Sequence, residues 1–267
     1  MSYDAIFFDL DGTLLPIEMG EFLHDYYQLL DSAAKRAGYD SEHFAEALNA
    51  GIYSMGKHQP NCTNAHAFWE TFFTRLFPQG AADDQLQAAK AFVDEFYAHD
   101  FDEIGKRVVP NPAATRALRT LQVKGYPLFL CTMPLFPLQG VLHRLRWADV
   151  DPAFFERITT YDNSTDVKPS HAYYCENIDL AGVPAERVLM VGNDTGDDLS
   201  CLDLGMDAYL VTDHLINPDC FDIDTIKHGS LADFANWVEG LPDCTCRSAF
   251  AWRQRADVLR LGSEEKD

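Results

Sequence analysis

Two aspartates, Asp9 and Asp11, stand one residue apart directly behind the apolar run Ala5-Ile6-Phe7-Phe8. The run is short and rich in aromatic and branched side chains, which predicts a strand buried on both faces. Carboxylates at the end of such a strand are costly to desolvate. A metal ion or a transferring group would offset that cost, and Gly12 permits a tight turn and a close backbone approach. An acidic turn uses the same residue types, but Asp9-Leu10-Asp11-Gly12-Thr13-Leu14-Leu15 is longer than a turn requires. Ligands of open α/β sheets bind beyond the carboxyl ends of the strands, so the residues behind the other apolar runs carry the next test. Thr132 closes the run 126–132 and precedes Met133-Pro134. Lys168 stands before Pro169 at an expected helix start, where it is a compact cationic point charge. Asp194, Asp197 and Asp198 gather behind the run 187–191.

These four groups, in this order, resemble the four motifs of the haloacid dehalogenase superfamily. The first motif, DLDGTLL, carries the resemblance most specifically. It implies that Asp9 is a covalent nucleophile attacking phosphorus and Asp11 the general acid and base, with an aspartyl-phosphate as intermediate. The resemblance further implies that Thr13, Thr132 and Lys168 hold the phosphoryl oxygens. It implies a Mg2+ cofactor taken by Asp9, the Asp11 carbonyl and Asp194, with Asp198 binding through water or fixing the surrounding shell. The chain departs from the family at Met133, where Asn is frequent, and at Asn193, where many members have an acid.

The elements that must position these residues are read from periodicity. Apolar residues at helical spacing predict helices over 18–37, from Ser41 onward, over 64–76 and over 81–98, with no strand signal between them. From Pro112 strands and helices alternate. Helices are expected over 112–122, 138–147 and 171–181, with Ser170 as an N-cap. Strands are expected over 126–132, 155–160, 187–191 and 207–211. Alternation of this kind implies parallel crossovers. The expected fold is therefore α/β: a doubly wound, Rossmann-like parallel sheet, residues 1–16 and 110–245, with an inserted α-helical cap, residues 17–109. A C-terminal tail, residues 246–267, completes the chain. Prolines at both junctions, Pro16 and Pro110 with Pro112, suit hinge-flanking linkers beside a cap that closes over the site.

Of 267 residues, 47% are hydrophobic and 12% aromatic, enough for a sizeable core. The net charge of −21 argues against nucleic acid or an anionic membrane as partner. Seven scattered cysteines suit free thiols in a reducing compartment, and no apolar run reaches membrane-spanning length. A soluble cytoplasmic enzyme is expected, a monomer or homodimer acting on a small phosphorylated metabolite. A phosphonate hydrolase using Lys57, a sugar-phosphate mutase, a haloacid dehalogenase and a catalytically silent binding protein are the alternatives on the same fold; Asp11 argues against the dehalogenase. His58, Cys62 and His66, spaced by four, are weighed as a zinc site and set aside because Pro60 interrupts them. Phe68, Trp69, Phe72 and Phe73 read as core of the helical segment, and Cys244 with Cys246 as tail thiols.

Overall fold

Alternate residues of the first apolar run face opposite ways. Ile6 and Phe8 pack into one apolar cluster and Ala5 and Phe7 into another, which is the period-two geometry of a strand covered on both faces. The structure, a computed structural model, describes residues 2–57 and 61–245. In it this run is β1, Ala5–Phe8. Chain order then gives β2 at Leu128–Leu130, β3 at Arg157–Ile158, β4 at Val188–Gly192, β5 at Asp207–Val211 and β6 at Lys227–Gly229. All pair in parallel in the order β3-β2-β1-β4-β5-β6. The order reverses at β1, so the crevice beyond β1 and β4 is the place where this topology admits a ligand.

Helices α1 (Met19–Arg36), α2 (Ser41–Met55), α3 (Asn64–Leu76) and α4 (Asp83–Ala98), then a 3-10 helix at Asp100–Arg107, all lie between β1 and β2 in sequence. Among the described residues of 17–109 there is no strand. The remaining helices are α5 (Pro112–Val123), α6 (Leu138–Trp147), α7 (His171–Ala181) and α8 (Leu231–Glu239). Helices α5 and α8 cover the face with Ile6 and Phe8, and α7 covers the other. Helices α3, α6 and α7 coincide with the expected spans, and the Ser170 hydroxyl accepts from the Ala172 amide at 3.2 Å. At α2 the cap is Asp40, whose carboxylate accepts from the His43 amide, and Ser41 is the first helical residue.

Strands β2 and β3 are shorter than their apolar runs, although single bonds continue past them, as from Cys131 N to Phe8 O and from Thr159 N to Leu130 O. Besides the 3-10 helices, one strand and one α-helix lie outside the elements expected. Strand β6 reads Lys227-His228-Gly229, an edge strand whose residues give no apolar signal. Helix α8 does carry a signal, the capping box Ser230 and Asp233.

Several contacts fasten the helical segment to the rest, those of Asn64 and Asp102 among them. Asn64 is fully buried; its amide donates to the Ser164 carbonyl at 2.9 Å and its side chain to Asp166 O at 3.0 Å. At the other end Asp102 accepts from Trp147 Nε1 of α6 at 2.8 Å. Gly105 permits this approach, since a Cβ there would lie 2.1 Å from the Trp147 ring nitrogen.

Candidate active site

The ladder extends one residue past β1 and fixes Asp9. Its amide donates to the Val191 carbonyl at 2.8 Å, while Cys131 N donates to Phe8 O at 2.7 Å. The chain then turns at Gly12, whose φ of +81° favours glycine. A Cβ there would also lie 2.3 Å from Asn193 Nδ2, so loop and β4 meet only because position 12 lacks a side chain.

Lys168 is buried between two carboxylates. Its Nζ lies 2.8 Å from Asp9 Oδ1 and 2.7 Å from Asp198 Oδ1. Asp198 Oδ2 accepts from the amides of Asn193 and Asp194 at 2.9 and 3.0 Å, so both its oxygens hold the site together. Gly192 leaves room for that carboxylate; a Cβ would meet it at 2.1 Å. Thr13 Oγ1 donates to Asn193 Oδ1 at 3.0 Å and lies 3.3 Å from Asp9 Oδ2. Asp194 Oδ1 accepts from the amides of Gly196 and Asp197, and Asp194 lines the same cavity as Asp9, Asp11, Lys168 and Asp198. The structure thus brings Asp9, Asp11, Thr13, Lys168, Asp194 and Asp198 to one place. Thr132, two residues beyond β2, is fully buried.

Burial is the largest influence on Asp9 and pushes its carboxyl up to about 7; Lys168 opposes the rise, while Asp198 and Asp11 add to it. Burial alone would push Lys168 down, but Asp198 and Asp9 outweigh it and hold the ammonium protonated. Burial, with Asp194, also raises Asp197 to about 6. Burial is the largest cause of both carboxyl shifts.

Arg144 of α6 was not among the expected residues. It is fully buried, and its Nη1 donates to Asp11 Oδ2 in a close ion pair. Its Nε donates to the Gly140 carbonyl at 3.3 Å, and the guanidinium lies over the Phe136 ring, 4.2 Å from its centroid. One signal could have found it: Arg144 falls on the apolar stripe of α6, with Val141, Leu145 and Ala148.

Asp11 Oδ1, Thr132 Oγ1 and Arg144 Nη2 are buried with no hydrogen-bond partner among the described residues. Orphaned buried polar atoms are rare, and a bound group that completes them is a sufficient reason. Above this floor lies a cavity of about 420 Å³ walled by the helical segment and the loop after β2, including Phe22, Tyr97, Met133 and Phe136. Phe68, core of the helical segment as expected, is also on this wall. Lys57 is exposed, 5.7 Å from the Tyr53 ring centroid, and does not line the cavity.

No three Asp, Glu, His or Cys side chains among the described residues gather as a ready-made metal cluster. Mg2+ does not need one, since it usually keeps several waters and takes only one or two carboxylates. The floor offers hard oxygen donors and excess negative charge, which fit that ion. His58 and Cys246 lie outside the described residues; His66 is exposed near Glu70, at 3.9 Å. Cys131, Cys175, Cys201 and Cys220 are free thiols. No described helix is long and apolar enough to cross a membrane.

No curated protein matches the chain. Among solved structures, a predicted phosphoglycolate phosphatase from Haemophilus somnus aligns with TM-score 0.53 and 19% identity, over 89% of this chain and 98% of that one. A putative beta-phosphoglucomutase from Thermotoga maritima aligns at 0.53 and 18%, over 90% and 99%. A 2-haloacid dehalogenase from Pseudomonas syringae aligns at 0.58 and 19%, over 89% and 100%. At these identities the likeness is one of fold, and the three names span three reactions. A family model described as a haloacid dehalogenase-like hydrolase matches residues 3–202, most of the chain and all four groups around Asp9. The strand that carries Asp9, the sheet that holds it and this match agree, and the chain belongs to the haloacid dehalogenase-like hydrolases.

Proposed function

We propose that the chain is a Mg2+-dependent phosphoric monoester hydrolase that cleaves a small phosphorylated metabolite through an aspartyl-phosphate at Asp9. The observation that carries the reading is the second carboxylate. Asp11 has one oxygen anchored by Arg144 and the other buried with no partner among the described residues. A dehalogenase attacking carbon has no use for such a group, whereas phosphoryl transfer needs a proton delivered to the leaving oxygen.

The ester enters with its phosphoryl group over the floor. Thr13, Thr132 and Lys168 hold its oxygens. Asp9 attacks phosphorus in line, the bond to the ester oxygen breaks, and Asp11 gives that oxygen a proton. Water then enters, Asp11 takes its proton, phosphorus passes to the water oxygen and the Asp9 carboxylate is released. Asp9, the Asp11 carbonyl and Asp194 are the residues that would hold Mg2+, which when bound would neutralise charge on the phosphoryl oxygens. Asp198 positions Lys168. Residues 17–109 act as a cap over a core made of 1–16 and 110–245, and exclude water when seated. The free thiols and the strongly acidic composition suit a cytoplasmic enzyme, monomeric or homodimeric, that avoids nucleic acid.

The test is hydrolysis of a panel of phosphate monoesters with and without Mg2+. Excess chelator should abolish release of phosphate and added Mg2+ should restore it. Undiminished turnover in chelator would remove the metal from the reading. Hydrolysis of 2-haloacids with no release from any phosphate ester would replace the reading altogether.

A further inference from the structure

The floor of the cavity is charged, but its wall is not. The lining residues beyond the floor include Leu48, Ile52, Phe68, Val93, Leu135 and Ile216, and among the described residues no Lys, Arg, His, Gln, Ser or Thr joins them. The polar side-chain atoms on this wall belong to four tyrosines, and each has a protein partner. The Tyr26 and Tyr97 hydroxyls bond to one another at 3.0 Å. Tyr27 donates to Asn49 Oδ1 at 2.5 Å, and Trp69 bonds to Tyr161. Burial pushes Tyr26 and Tyr97 up, so both stay neutral. The Tyr26–Tyr97 pair keeps one uncommitted hydroxyl proton and Tyr161, which accepts from Trp69, keeps its own, together too few for a polyol.

Among the described residues, no cation lies on the wall to meet a charged leaving group. Lys168 is the only basic lining residue among those described, and it already bridges Asp9 and Asp198. Arg144 is sealed beneath Phe136 and paired with Asp11. A substrate with a carboxylate or second phosphate on its leaving group would bury that charge against apolar walls without a counter-ion. A sugar would bury several hydroxyls without partners. Apolar walls of this size instead hold a small apolar body.

Resting on the phosphohydrolase reading above, we propose that the leaving group is a neutral, largely apolar alcohol or phenol. The substrate is then an alkyl or aryl phosphate monoester, not a sugar phosphate, a carboxylic-acid phosphate or a bisphosphate. Its phosphoryl group sits on Asp9 and its carbon skeleton lies among Phe22, Phe68 and Phe136.

Two measurements on the full chain test this. The first is the specificity constant for ethyl, butyl and hexyl phosphate, whose leaving alcohols are equally basic, beside phosphoglycolate and glucose 6-phosphate. The second is binding of the matching n-alkylphosphonates by calorimetry, which needs no turnover. Each methylene buried should raise the specificity constant roughly fourfold, so hexyl phosphate should exceed ethyl phosphate by about two orders of magnitude. It should exceed phosphoglycolate and glucose 6-phosphate at least tenfold, and phosphonate affinity should climb in parallel. A flat alkyl series, or a preference for either polar ester, overturns this inference while phosphate release keeps the hydrolase reading standing. Affinity that climbs with chain length, with no ester hydrolysed, overturns the hydrolase reading and retains the apolar site. Flat affinity with no hydrolysis overturns both.

Discussion

Asp11 and Arg144 form the ion pair on which the candidate chemistry leans most, and both are buried. Removing one partner of a buried pair leaves an uncompensated charge, which typically costs about 3–5 kcal/mol. Arg144→Leu should therefore lower stability by about that amount, read from the midpoint of urea unfolding. Adding Asp11→Asn in the Arg144→Leu background should recover much of the loss. No recovery would mean that the deficit comes from lost packing against Phe136 and not from the stranded carboxylate. Asp9, Asp11, Lys168 and Asp194 were legible in the sequence because each sits in a short string of recognisable chemistry. Arg144 was not, because it acts on a carboxylate 133 positions away, and nothing in the string around it names that partner.

Helix α3 begins against the loop that carries Lys168. Asn64, fully buried, joins the two through bonds to Ser164, Asp166 and Pro134 carbonyls. Asn64→Ala keeps the backbone bond to Ser164 but strands the Asp166 and Pro134 carbonyls, and should destabilise the fold by about 1–3 kcal/mol. It should also quicken limited proteolysis within 17–109, since that segment loses two of its bonds to the rest. Cleavage at the parental rate would show that the remaining contacts suffice to hold the segment. The helices themselves were legible from apolar spacing and caps, α3, α6 and α7 to the residue. The cavity wall was not, because it draws a few residues from each of several elements. Phe68 has the same helical spacing whether it faces core or cavity. Edge strand β6 escaped because pairing with β5, not apolar content, makes it a strand.

At the scale of the whole molecule, one carboxylate ties the first residues to the far edge of the sheet. Asp207 Oδ2 accepts from Tyr3 Oη and from Lys227 Nζ, each at 2.5 Å. Burial alone would raise its pKa, but the Lys227 and Tyr3 bonds outweigh that and hold it below the ordinary 3.8. A carboxyl depressed in this way protonates at lower pH in the folded chain than in the unfolded one. Its contribution to stability is therefore present above about pH 3.8 and fades as pH falls through the lower folded value. Asp207→Asn should lower the unfolding midpoint at pH 7, and the gap to the parental protein should narrow as pH is taken well below 3.8. A gap independent of pH would show that the contribution is not ionic. The parallel α/β class was legible from alternation after Pro112, whereas the order of the strands depended on pairings between distant residues.

The central claim is that Asp9 is the nucleophile, and Asp9→Asn tests it most directly, because it keeps the shape of the side chain and removes the attacking anion. The measurement is the specificity constant of purified Asp9→Asn for a hydrolysed phosphate monoester at saturating Mg2+, with folding checked by circular dichroism. A nucleophilic Asp9 predicts a loss of about a thousandfold or more with the fold retained. Turnover within a few-fold of the parental enzyme would contradict it.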